Sequence, residues 1–174
     1  MSKLPDEIFD LIRDNEVKIR GHYLRFSAKV EGSMAKCVIL LNEIKTVSSG
    51  TETKIDFKNF MFNQKLKKFE SLVSEIYPDL ALSYSALFDH IDSFRELRNK
   101  MTHCYFTWDE SDLTSVTIWD LDDSGKIQKI EPTRYSLVQI NSSFAQSTID
   151  IVEDLNRLTE EIIARAKPVI PHMF

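Results

Sequence analysis

Arg95, Asn99 and His103 follow one another at intervals of four residues. In an α-helix that spacing sets all three along one edge. Arg98 borders the same edge, one step from Asn99. A cation, an amide and an imidazole are thereby carried beside an apolar stripe of Phe94, Leu97 and Met101. Such a set suits a phosphodiester. Arginine offers a permanent planar fork of donors that can grip phosphate oxygens in pairs. Asparagine can orient a ribose hydroxyl or a phosphate oxygen, and histidine can take or give a proton near neutral pH. Arg98, Asn99 and His103 are therefore the candidate catalytic residues. Arg95, Lys100 and Thr102, in the same turns, are the candidate substrate-binding residues.

Other chemistries find less support. The two cysteines, Cys37 and Cys104, form no Cys-x-x-Cys, and no Cys/His spacing suits zinc, so neither a metal nor a cofactor is expected. Cys37 sits in the apolar run Cys37-Val-Ile-Leu-Leu41, where a buried free thiol is common. Cys104 follows His103 and would be reactive only in an electropositive setting. Lys65, Lys67 and Lys68 read as the solvated face of a helix. Tyr105, Phe106, Trp108 and Trp119 could stack bases if exposed, but such residues more often pack a hairpin onto its support.

The formal net charge of −5 excludes a broad basic footprint for nucleic acid, so any RNA-binding cleft must gather positive charge locally. With 43% hydrophobic and 28% charged residues, a chain of 174 residues can bury a real core and reads as one domain over 1–174. No window approaches the roughly 18–20 apolar residues of a membrane span. The start, Met1-Ser-Lys-Leu-Pro-Asp-Glu-Ile-Phe, has no apolar signal region, and a cytoplasmic location is expected.

The elements that position the set are mostly helical. Pro5, Asp6 and Glu7 predict a helix start, with a short first helix to about Glu16. Val17, Tyr23 or Leu24, Phe26, Val30, Met34, Val38, Leu41 and Ile44 predict a second helix over 17–46, ended by Ser48-Ser49-Gly50. Gly21 and Gly32 either weaken it or admit a close neighbour. Phe62, Leu66, Phe69, Leu72, Val73 and Ile76 mark a third helix, stopped by Pro78. Asp79 can cap a fourth over 80–103. After His103 the period changes. Tyr105–Trp108 and Ser115–Trp119 are β-rich, Asp122-Asp-Ser-Gly125 is a turn signal, and Lys126–Ile130 is a plausible partner strand. The last helix begins near Pro132-Thr133 and runs to about Ala166, before Pro168 and Pro171. The pattern is mainly α: an up-and-down bundle of four to five helices with a β-hairpin inserted at about 105–131, before the last helix.

The string Phe94-Arg-Glu-Leu97-Arg98-Asn99-Lys100-Met101-Thr102-His103 resembles the signature of the HEPN (higher eukaryote and prokaryote nucleotide-binding) family. That signature pairs an arginine with a histidine a few residues on. An apolar residue commonly precedes the arginine, and a polar one, often Asn, follows it. Here the motif also lies late in a long helix that follows another long helix. The resemblance implies a dimerising helical bundle in which the motif helices of two protomers meet to form one composite cleft. It further implies a metal-independent endoribonuclease of a toxin–antitoxin or other defence system, in which the ribose 2′-hydroxyl attacks the adjacent phosphate. His103 would then transfer protons, Arg98 would stabilise the phosphorane charge and Asn99 would orient either group. RNA or a nucleotide and a cognate antitoxin are the implied partners. Two other readings stay open: a non-catalytic HEPN-like module that binds a nucleotide or protein, with His103 capping its helix, and a bundle that serves interaction alone.

Overall fold

The computed structural model describes residues 6–50, 59–109, 112–119 and 133–168. Among the described residues the fold is mainly α-helical, with five helices and a small antiparallel sheet set in before the last of them. In order these are α1 (Asp6–Ser49), α2 (Phe62–Ile76), α3 (Pro78–Ser83), α4 (Ser85–His103), β1 (Tyr105–Asp109), β2 (Asp112–Trp119), β3 (Thr133–Ser136) and α5 (Leu137–Ala166). The structure divides into two compact units. The first draws on Met1–Ser27 and Glu96–Ser147, the second on Ala28–Arg95 and Thr148–Phe174.

The break expected near Glu16 is absent: α1 is one helix of 44 residues. No proline occurs anywhere in 6–49 to stop it. Nor are Gly21 and Gly32 sites of close approach, because a Cβ added at either would meet nothing within 4 Å. Gly50 ends the helix at φ 68°, a left-handed conformation cheap only for glycine, and its N–H donates to Thr46 O at 2.9 Å.

In the second unit, α2 begins where the Met61 N–H donates to the Gln64 side chain at 2.9 Å. Phe62, Leu66, Phe69, Leu72 and Val73 are buried along one stripe, as their spacing requires. Phe69 meets Phe88 edge-on with ring centroids 5.5 Å apart. Val30, Met34 and Leu41 of α1 and Leu155, Leu158 and Ile162 of α5 fill the rest of this core. The helix expected over 80–103 is split at Tyr84 (φ −105°, ψ 18°). Ser83 and Ser85, whose hydroxyls compete for backbone partners, flank the break. Asp79 does not cap. Pro78 occupies the first turn, and the Asp79 carboxylate pairs with Arg165 of α5 at 2.6 Å.

In the first unit the three strands form an antiparallel sheet in the order β1-β2-β3. Phe106 stands opposite Ile118 and Trp108 opposite Val116, so the pleat turns these four to one face; Phe106, Val116 and Ile118 are buried. On the other face the Trp119 indole N–H donates to Thr107 Oγ1 at 2.8 Å. The strand at 105–109 is thus the hairpin partner of 115–119, while the expected turn at 122–125 and strand at 126–130 lie outside the described residues. Thr133–Ser136 is a strand paired to β2, and the last helix starts only at Leu137. In the same unit, Tyr23 of α1 and Phe144 of α5 pack with centroids 4.1 Å apart. The core of α1 here uses Ile19 and Tyr23; Val17 and Leu24, read as apolar-face positions, are exposed, as is Val138 of α5.

Candidate active site

The first unit contains the last two turns of α4, and with them Arg98, Asn99, Lys100, Thr102 and His103. Ideal helix geometry sets Arg98 and His103 well apart around the axis. Arg98 Nη1 donates to Asn99 Oδ1 at 2.9 Å, and Asn99 lies one turn before His103 on the same helix edge. Arg98 is half-buried, and its Nε is shielded from solvent with no hydrogen-bond partner among the described residues. The shielded Nε is out of an anion's reach, and the donors left for one are those of Nη2. Asn99 is fixed at one end by this bond and half-buried.

His103 is the last residue of α4 and is exposed. No described residue hydrogen-bonds its ring. Thr102, expected from the sequence as a substrate contact, is half-buried. Its hydroxyl turns back onto the helix and donates to Arg98 O at 2.9 Å and Asn99 O at 3.1 Å. Lys100 is half-buried, and its carbonyl receives the Cys104 N–H at 2.8 Å. Arg95 belongs to the second unit. There its Nε pairs with Asp92 at 2.7 Å, and it helps line a polar cavity of about 340 Å³ with Lys67, Glu70 and Asp89. The structure therefore joins Arg98 to Asn99, leaves His103 one turn further along the same helix, and gives Arg95 an acidic partner of its own.

One residue of this region escaped the sequence reading. Arg20 of α1 reaches the end of α4 and serves its terminal carbonyls. Nη1 donates to Met101 O at 3.5 Å and to Thr102 O, and Nη2 donates to Cys104 O at 3.1 Å. The guanidinium also pairs with Glu16 at 2.8 Å and lies over the Phe106 ring, 4.7 Å from its centroid. Carbonyls of a helix's last turn lack partners within the helix and must find them elsewhere. Only the Glu16–Arg20 spacing was visible beforehand, and it says nothing of a partner more than eighty residues away.

Beside these residues, Tyr23, Leu97, Met101, Ile118 and Ile140 line a largely apolar cavity of about 250 Å³, edged by Gln139 and Ser143. Leu97 is 38% exposed, so it serves this cavity more than the core. Cys104 is buried, which removes the access a reactive thiol needs. Cys37, in the second unit, is buried too. Burial pushes its thiol pKa up, against a contact with Thr159 Oγ1 at 2.9 Å that pulls it down. Among the described residues no group of three or more His, Cys, Asp or Glu could hold a metal ion, and no helix is long and apolar enough to cross a membrane. Of the basic cluster, Lys65 is paired with Glu31, and Lys67 is exposed. Tyr105 is exposed at 52%, while Trp108 and Trp119 are half-buried. Compared with family models, curated proteins and solved structures, the chain matches none.

Proposed function

We propose that this protein is a HEPN-like endoribonuclease that cleaves RNA without a metal ion, working as a homodimer in which the ends of two α4 helices share one cleft. The observation that carries this reading is a half-buried Arg98 tied to Asn99, on the same two turns as an exposed His103. In the proposed reaction the ribose 2′-oxygen attacks the neighbouring phosphorus and the 5′-oxygen leaves. The products are a 2′,3′-cyclic phosphate and a 5′-hydroxyl. His103 moves a proton to or from these oxygens. Arg98 faces the charge that builds on the phosphorane, and Asn99 holds the guanidinium at its angle. Thr102 and Lys100 support the backbone and the local positive charge. A doubled set of Arg98 and Lys100 in the dimer would give an acidic protein a local basic cleft. A place in a toxin–antitoxin or defence system, with a cognate antitoxin as partner, follows from the same resemblance.

The cap on α4 bears on the rival, non-catalytic reading. If His103 served to cap its own helix, the last carbonyls would need it. Arg20 already takes those of Met101 and Thr102, and the His103 ring has no described partner, so capping does not account for a histidine there.

The test is incubation of the purified protein with mixed RNA in EDTA, beside an Arg98→Ala/His103→Ala double variant. Cleavage by the wild type that the variant lacks is the expected result. Equal cleavage by both, or none by either, would overturn the reading.

A further inference from the structure

The geometry points to Arg20 as the positioning residue for His103, a role that rests on the ribonuclease reading given above. One planar guanidinium bonds to the carbonyls of Met101 and Thr102 before His103 and to that of Cys104 after it. The backbone that carries the imidazole is therefore pinned on both sides by a single group. That group is itself fixed, by Glu16 one helical turn back and by the Phe106 ring beneath it. Every anchor belongs to the first unit and to different parts of its chain: α1, the end of α4 and the start of β1.

The arrangement needs arginine in particular. A fork of donors in one plane can meet acceptors on both sides of a residue at once; an ammonium is a point donor and cannot hold the same span. Helix ends fray, and a general acid or base on the last helical residue would wander with the fray unless something holds that turn. A displacement of about 1 Å at a reacting group can cost about 100-fold in rate. Arg20 need not touch RNA to matter. Its Nη donors go to carbonyls and Glu16, and its effect passes through the place of His103.

Arg20→Met keeps the stem on Phe106 and removes the fork; Arg20→Lys keeps the charge; Glu16→Gln keeps Arg20 and loosens its hold. The expected result for Arg20→Met is a fall of about 100-fold in kcat on a mixed-sequence oligoribonucleotide, with KM unchanged and the far-UV spectrum retained. Arg20→Lys should recover part of the loss, and Glu16→Gln should lose least. Amide hydrogen exchange at 101–105 should quicken in Arg20→Met by more than it does in α2. If the wild type cleaves and a folded Arg20→Met cleaves as fast, the positioning role is overturned and the ribonuclease reading stands. If Arg20→Met does not fold, Arg20→Lys and Glu16→Gln decide by the same kcat-against-KM comparison, and unchanged kcat in both overturns the role. If neither the wild type nor any variant cleaves, the ribonuclease reading has failed; exchange at 101–105 that is also unaltered then shows that Arg20 does not hold this turn.

Discussion

His103 ends α4 with its side chain exposed, and no described residue hydrogen-bonds it. Replacing it with alanine removes little that folding uses. No core contact is lost, and alanine is the better helix former by up to about 0.7 kcal/mol. Stability should change by no more than about 0.5 kcal/mol in either direction. Chemistry should respond quite differently. A positioned proton-transfer group contributes roughly 10²- to 10⁴-fold, which is about 2.7–5.4 kcal/mol of barrier. His103→Ala should therefore unfold at the wild-type urea midpoint and yet cleave RNA at no more than about one hundredth of the wild-type rate. Urea denaturation followed by circular dichroism, with initial cleavage rates in EDTA on the same preparations, measures both. A stability loss above about 1 kcal/mol would show that His103 is a structural residue. Wild-type cleavage by a folded His103→Ala would remove it from the chemistry.

Other consequences concern the packing within each unit. Thr159 gives its hydroxyl proton to Leu155 O at 2.7 Å and meets the Cys37 thiol at 2.9 Å; Thr159→Val keeps the shape, loses both bonds, and should lower stability by about 1 kcal/mol in urea unfolding. An unchanged midpoint would contradict that assignment. Phe144 is 1% exposed with its ring 4.1 Å from that of Tyr23, so Phe144→Ala should cost about 3–5 kcal/mol, and a loss below about 1 would refute the packing described. Tyr84 donates to Glu161 at 2.6 Å, and desolvation, together with that carboxylate, pushes its pKa up to about 12. The folded state then holds this proton longer than the unfolded chain, so the contribution is present below about pH 10 and is lost as pH rises through about 12. Tyr84→Phe should flatten the fall of stability over that window, and an identical alkaline profile for both proteins would refute the assignment.

Much of the fold could be read from local spacing. Phe62, Leu66, Phe69, Leu72 and Val73 mark α2 and its buried face, and the β-branched and aromatic run after His103 marks the change to strands. Arg98, Asn99 and His103 share the end of one helix, as their numbers alone require. What local spacing leaves open or misreads is what a distant partner decides. Tyr23 is buried where Leu24 might have been because Phe144 lies against it. Thr133–Ser136 joins β2 although Pro132-Thr133 reads as a helix start, since a strand edge can recruit such residues. Asp79 looks like a cap but answers to Arg165 instead. Arg20 is the clearest case. Carbonyl acceptors at a helix end are certain to exist, yet no spacing rule names the donor that will come from another helix.

The claim at the centre of this account is that a 2′-hydroxyl, an imidazole and a guanidinium suffice for cleavage. The direct measurement pairs one oligoribonucleotide with its all-2′-deoxy counterpart of the same sequence. Each is incubated with the wild-type protein in EDTA, and the products are analysed for chain ends. Cleavage of the ribose strand alone, leaving 2′,3′-cyclic phosphate and 5′-hydroxyl ends, is the predicted result. An intact ribose strand, or a deoxyribose strand cut as readily, would contradict it.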